Sequence, residues 1–274
     1  MNEHSNIGLA ALLVSVCFVI SGFASRACVA ADPPLMFVGD IENRGTDPYG
    51  DSQLEHTLRK TEVVTSPVRK GNHALKLQLD RSGHEDMMDY RTDFWIKGMS
   101  RKYRMEEEYW YGFSTYWPNS WEPDTQSELF VQWVGWREYG PSLAIYVYGE
   151  NYKIKKRWAA GNSSYKSMWS GKLSEDKGEW VDWVFHVKWS SGDDGLVEAW
   201  KNGEKIVSDK GRNCGPGEFA PYFKFGIYKW PWKELPEKTP STLARRTLYI
   251  DEIRIGDKTA SYQLVSPQPS GTDP

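Results

Sequence analysis

Lys224, Gly226 and Tyr228 occupy alternate positions of the stretch Tyr222-Phe223-Lys224-Phe225-Gly226-Ile227-Tyr228-Lys229-Trp230. Read with period two, this is a strand that sends Phe223, Phe225 and Ile227 to one face and Tyr222, Lys224, Gly226, Tyr228 and Trp230 to the other. The first set is an ordinary sheet core. The second pairs an ammonium with a proton-carrying phenol and leaves a residue without a side chain between them. A glycine inside a strand weakens it and often marks the close approach of a ligand or another backbone. One expectation is a sugar ring lying over Gly226, reached by Lys224 and Tyr228 from either side. A solvated strand face with an incidental Lys and Tyr fits the same spacing.

A scaffold must hold that face. The chain has 274 residues, 39% of them hydrophobic, enough for one sizeable core, and all-β domains of this length are commonly single. A formal charge of −3 supplies no polycationic surface, which argues against nucleic acid as a partner. The 14 Trp and 15 Tyr exceed what a core of this size needs. Exposed aromatics stack on sugars, although interfaces and bulky β cores also use them.

Strand-like segments dominate. Leu35–Val38, Glu62–Thr65 and Ala74–Leu79 precede Tyr90–Trp95, in which Arg91 and Asp93 share a face. Residues 43–55 read as a polar loop. Tyr109–Trp117 is a β-prone run ended by Pro118, followed by Leu129–Trp136. Ser142–Tyr148 alternates, with Leu143, Ile145 and Val147 toward the core and Tyr146 and Tyr148 away from it. Residues 151–170 are rich in Lys and Ser and read as short strands with an exposed loop. Trp180–Trp189 is a long strand, residues 195–207 form a hairpin about Asn202-Gly203, Pro231–Pro240 is a loop, and Leu248–Ile255 closes the fold. Roughly ten to fourteen strands with few helices predict an all-β fold, a jelly-roll (concanavalin-like) sandwich of two antiparallel sheets with a concave groove.

At the N-terminus, Ile7–Phe23 is apolar apart from Ser and Gly, and Val29-Ala30-Ala31 offers small residues for cleavage before Asp32. This predicts a signal peptide over 1–31, a domain over 32–265, a disordered tail over 266–274, and a secreted or periplasmic protein free of the membrane after cleavage. Cys17 and Cys28 leave with the signal, so Cys214 alone remains and neither an intramolecular disulfide nor a cysteine metal cluster is expected. Nothing in the sequence requires a cofactor. Structural calcium on an acidic loop such as Asp193-Asp194 is open, without a ligand spacing that demands it.

Three pieces of the chain carry a family resemblance. Tyr222–Tyr228 resembles the catalytic strand of jelly-roll polysaccharide lyases of the glucuronan lyase and heparin lyase I-like group. Tyr90-Arg91-Thr92-Asp93-Phe94 is similar to their Arg-(Ser/Thr)-Glu strand, with Asp in place of Glu, and Phe130-Val131-Gln132-Trp133-Val134-Gly135 resembles the strand bearing their active-site Gln. The likeness spans roughly Leu75 to Gly256. Related alginate lyases carry a His two residues after the Gln, where this chain has Val134. In the glucuronan-lyase pattern the His comes from an earlier segment, which here makes His84 the candidate.

The resemblance implies β-elimination on an anionic, uronic-acid polysaccharide. A base removes the C5 proton, the bond to the C4 oxygen breaks, and an unsaturated sugar remains. The C5 proton is barely acidic while its neighbouring carboxylate is negative, so donors that neutralise the carboxylate are each commonly worth a few kcal/mol. Gln132 offers amide donors and Arg91 a guanidinium fork. Tyr228 is the proton carrier; a free phenol has a pKa of about 10 and needs a nearby cation, Lys224 or Arg91, to act as a base at neutral pH. Alternatively His84 takes the proton and Tyr228 only donates. Tyr146, Tyr148, Trp136 and Trp230 are candidate sugar-binding residues, and Arg137, Lys229 and Lys233 candidates for flanking carboxylates. Few Lys or Arg fall in the strands read as the groove, which favours a carboxylated over a heavily sulfated polymer.

Each residue also has a structural reading: Arg91 in a salt bridge to Asp93 or Glu128, Gln132 as a satisfied polar group, His84 on a surface loop, His186 packed in its strand, and His56 and His73 at the surface. A non-catalytic carbohydrate-binding sandwich would need the aromatics and none of Lys224, Gly226, Tyr228, Arg91 and Gln132. A sandwich glycoside hydrolase would need two facing carboxylates. The consecutive Glu106-Glu107-Glu108 near a turn does not read as such a pair.

Overall fold

A computed structural model describes residues 34–39, 41–42, 54–57, 60–82, 90–96, 98–135, 140–160, 164–234, 241 and 243–267. The signal-peptide residues, His84, Trp136, Arg137 and the tail after 267 lie outside these, as does the side chain of Lys233. Fifteen strands run through the described residues: β1 (Leu35–Val38), β2 (Leu54–Thr57), β3 (Lys60–Val64), β4 (Ala74–Asp80), β5 (Arg91–Ile96), β6 (Glu108–Tyr116), β7 (Asp124–Val134) and β8 (Pro141–Gly149), then β9 (Asn151–Arg157), β10 (Tyr165–Lys172), β11 (Trp180–Lys188), β12 (Leu196–Lys201), β13 (Glu204–Lys210), β14 (Tyr222–Tyr228) and β15 (Arg245–Gly256). Two helical turns, Pro231–Glu234 and Tyr262–Val265, also occur. Pro231–Glu234 falls where a loop is expected, and β2 begins inside the predicted loop 43–55.

The strands form two antiparallel sheets, the β-sandwich of a jelly roll. One runs β13-β12-β11-β6-β15-β4-β3, with β1 also on β15; the other runs β10-β9-β8-β7-β14-β5-β2. Asn202 and Gly203 join β12 to β13 with φ of 49° and 86°, the positive pair that a two-residue hairpin turn requires.

The aromatic excess is largely consumed between the sheets. Trp133 of β7 meets Phe185 of β11 at 4.8 Å and Tyr111 of β6 at 5.2 Å between ring centroids, Phe223 of β14 meets Phe113 at 5.7 Å, and Tyr152 of β9 meets Trp183 at 5.4 Å. Phe223, Phe225 and Ile227 all lie in this core, as their period predicts. Sheets packed face to face stand about 10 Å apart. Rings fill that gap with few rotamers to immobilise, so the Trp and Tyr count reports core filling first and leaves only a minority outside.

Candidate active site

Three neighbouring strands, β5, β14 and β7, bring the candidate polar groups to the face opposite the core. The register pairs Tyr228 with Arg91, Gly226 with Asp93 and Lys224 with Trp95 on one side, and Lys224 with Gln132 on the other. Period-two alternation then points Arg91, Asp93, Gln132, Lys224 and Tyr228 the same way, while Phe94, Phe225 and Trp133 point inward.

Asp93 is the hub. Its Oδ2 lies 2.8 Å from Lys224 Nζ and 3.8 Å from an Arg91 guanidinium nitrogen, and it accepts a hydrogen bond from Gln132 Nε2 at 3.3 Å. Asp93, Gln132 and Lys224 are all buried, so these contacts act in a medium where charge interactions are stronger than in water. The Asp93 carboxylate thus lies against two cations, Lys224 and Arg91. The Arg91 guanidinium also stands 4.0 Å from the centroid of the Tyr228 ring, which makes Arg91 the cation set against the phenol. Lys224, expected beside the phenol, is instead committed to Asp93 and sits 4.8 Å from the Trp95 ring. Its place is that of a residue fixing Asp93 and, through it, Gln132 and Arg91.

Gly226 has a different reason from the one its spacing suggests. Its φ is 129°, in a register shift between Phe225 and Tyr228 where β14 carries an extra residue against β7. An added Cβ would collide with the Thr92 carbonyl oxygen and come within 2.6 Å of Asp93 Cα. The close neighbour is therefore the backbone of β5, and a sugar has no place in that direction. Gly226→Ala is expected to cost about 2 kcal/mol or more and to displace Arg91 and Asp93, lowering melting temperature and activity together; unchanged thermal denaturation would contradict this.

Aromatic side chains continue the face. Trp230 contacts Tyr228 at 5.6 Å and meets Tyr146 of β8 edge-on at 6.1 Å between centroids, while Tyr148 is exposed. Burial pushes the Tyr146 phenol above its ordinary range, against a smaller opposite pull from Arg157. A hollow of about 330 Å³, lined by Ser142, Arg157, Trp158 and Phe219 among others, lies beyond the ends of β8 and β9 and not over Asp93.

Other candidates fall elsewhere. Lys229, one residue past Tyr228, is fully buried and held by Asp124 at 2.8 Å and Glu128 at 3.2 Å, so it cannot hold a substrate carboxylate. His186 is on the other sheet, stacked on Trp110 at 4.0 Å and bracketed by Glu108 and Glu198 at 2.9 and 3.0 Å. His73 meets Glu42 at 3.3 Å, and Cys214 is a buried thiol that burial pushes up to about 12. Asp194 accepts from Lys188 and Ser190, and Asp193 lies 3.5 Å from Arg212. Among the described residues no three His, Cys, Asp or Glu side chains converge as a metal site.

The family model for polysaccharide lyases matches residues 42–254. The chain belongs to the polysaccharide lyase family. The lyase shares its fold with the endo-β-1,4-glucuronan lyase of the fungus Trichoderma reesei, at 21% identity over 86% of this chain and 99% of that one, with a TM-score of 0.66. The sandwich also resembles the binding domain of botulinum neurotoxin DC, seen in complex with rat synaptotagmin II (12% identity, 85% of this chain and 50% of that one, TM-score 0.53). A similar likeness holds for the binding domain of serotype C1 (14%, 78% and 46%, 0.51). No curated protein sequence matches.

Residue pattern alone assigns the faces of β14 and β8, but it leaves out one set of site-facing residues. Lys153, Lys155 and Arg157 of β9 share the face with Tyr146, because β9 pairs with β8 through Tyr146–Lys153 and Ala144–Lys155. The face is thus richer in cations than its predicted strands suggest. The signal available in the sequence is the alternation of Tyr152 and Ile154 with these residues.

Proposed function

We propose that this lyase cleaves a uronic-acid polysaccharide by β-elimination, with Tyr228 as proton carrier. The observation that carries the reading is Arg91 over the Tyr228 ring, with Gln132 and Lys224 both joined to Asp93 on the same face. Arg91 and Gln132 hold the uronate carboxylate, and Arg91 also stabilises the phenolate of Tyr228 by proximity of charge. The C5 proton passes to the Tyr228 oxygen, the electron pair of the C5–H bond forms the C4–C5 double bond, the C4–O bond breaks, and the phenol returns the proton to the leaving oxygen. Lys224 acts through Asp93 as a positioning residue. The Trichoderma reesei relative is an endo-β-1,4-glucuronan lyase, which makes a β-1,4-linked glucuronate polymer the first substrate to try. The apolar segment before Asp32 supports an exported enzyme, where such polymers are met.

The test is incubation of the protein with glucuronan, alginate, heparin and hyaluronan while following ultraviolet absorbance of the unsaturated product and, in parallel, reducing ends. Elimination raises both together on at least one polymer. Reducing ends without absorbance would mean hydrolysis and end the proposal.

A further inference from the structure

The face that carries Asp93 and Tyr228 does not stop at β7. Lys224 pairs with Gln132, Gln132 with Ala144, Ala144 with Lys155, and Lys155 with Ser167. This transverse row crosses five strands. In this row only Ala144, itself buried, stands between Gln132 and Lys155. Two strand spacings, roughly 10 Å, lie between Gln132 and Lys155.

On β9 the outward positions are Lys153, Lys155 and Arg157, each half-buried, while Tyr152, Ile154 and Lys156 are buried on the other side. Tyrosines interleave with them. Lys153 Nζ lies 5.3 Å from the Tyr148 ring and Lys155 Nζ 5.1 Å from that of Tyr146 and 5.9 Å from that of Tyr165. The Arg157 guanidinium carbon is 6.0 Å from Tyr165. Among the described residues, no carboxylate lies within ion-pair reach of Lys153 or Lys155. Burial, then Lys153 and Arg157, push the Lys155 ammonium below its usual range. The Lys153 and Lys155 ammoniums, held together on aromatic rings, repel one another, and an anion set between them relieves this.

We propose that Lys153 and Lys155, with the rings of Tyr146, Tyr148 and Tyr165, form a subsite for the carboxylates of the sugar units next to the one being cleaved. The lyase then reads a run of consecutive uronates, and a polymer in which uronates alternate with neutral sugars fills this subsite less well. The inference rests on the uronate reading of the reaction centre, but its contacts are separate from that centre.

The experiment measures calorimetric binding of a β-1,4-linked glucuronate hexamer, cellohexaose and a sulfated cello-oligomer to the full chain bearing Tyr228→Phe. The same titrations are repeated with Lys153→Gln/Lys155→Gln added, and with Lys153→Arg/Lys155→Arg added. The glucuronate hexamer should bind about tenfold more weakly to the Gln variant, with a shallower dependence on salt, and recover with Arg. Cellohexaose should bind the Gln variant as it binds its parent. Equal glucuronate affinity with and without the lysines, no glucuronate binding at all, or tighter binding of the sulfated oligomer than of glucuronate would each overturn the subsite. On the active chain, the Gln pair should raise KM for the polymer and leave kcat within about twofold, because these residues touch no reacting atom. If no uronate polymer is cleaved while charge-dependent binding persists, the elimination reading falls and the subsite stands. If cleavage proceeds with KM unmoved by the Gln pair, the subsite falls and the elimination reading stands.

Discussion

Tyr228→Phe is expected to lower turnover on the polymer that the wild-type chain cleaves by about 10²–10⁴-fold, the usual contribution of a positioned proton-transfer group. The substitution removes one oxygen and keeps the ring, so the contacts with Arg91 at 4.0 Å and Trp230 at 5.6 Å survive. Binding of the polymer should change by less than about fivefold, since the phenol's work lies in the transition state and not in holding the sugar. Ultraviolet absorbance of the unsaturated product gives the rate, and calorimetry the affinity. A variant that keeps more than a tenth of the wild-type rate would remove Tyr228 from the proton path and move attention to His84. A variant that loses binding as well as turnover would instead make the ring–guanidinium pair a substrate-holding device.

How far the sequence foretells this arrangement differs from strand to strand. Period two reveals the faces of β14 and β8 because their inward residues are Phe, Ile, Leu and Val and their outward ones are not. On β9 the same test is blurred, since Lys155, Lys156 and Arg157 are consecutive bases. Lys156 turns to the buried side and pairs with Asp209 while its neighbours face outward, a placement that the alternation of Tyr152 and Ile154 hints at and register with β8 fixes. Gly226 signals a close approach, but residue type cannot say whether ligand or backbone makes it; the β14 bulge and the position of β5 decide. Likewise Asp93 and Lys224 are 131 residues apart in sequence, and their ion pair follows from strand neighbourhood that no local pattern encodes. The Arg91–Asp93 salt bridge and the carboxylate-facing role of Arg91 are alternatives in the sequence, and the geometry accommodates both, since Asp93 is shared and Arg91 still covers Tyr228.

Lys229 departs from its expected place for the same reason, and it gives the largest effect expected on stability. Its ammonium is buried between Asp124 and Glu128, and Glu128 also takes Arg246 Nε at 2.8 Å, while Ser241 donates to Asp124 at 2.6 Å. The two carboxylates come from β7, and Arg246 of β15 and Ser241 hold them in turn, so the cation ties the end of β14, just past Tyr228, to a strand whose Glu128 lies 101 residues earlier. Lys229→Met keeps volume and leaves two buried carboxylates with one cation between them. Breaking a buried pair in this way costs about 3–5 kcal/mol, which urea denaturation at neutral pH measures directly. Burial pushes the Asp124 carboxyl up, but Lys229 and Ser241 outweigh it and hold the carboxyl below its ordinary value. A depressed folded-state value contributes stability above the unfolded value near pH 4 and loses it as pH falls through the folded one. The gap between wild type and Lys229→Met should therefore be widest at neutral pH and narrow as the buffer is taken below about pH 4. There the unpaired carboxyl of the variant is protonated and the wild type gives up its advantage. Adding Asp124→Asn to Lys229→Met should recover part of the loss at pH 7, because it removes the charge that lost its partner; a double variant no more stable than the single one would show that the damage lies in packing against Trp232, 5.5 Å from the Lys229 ammonium, and not in the stranded carboxylate.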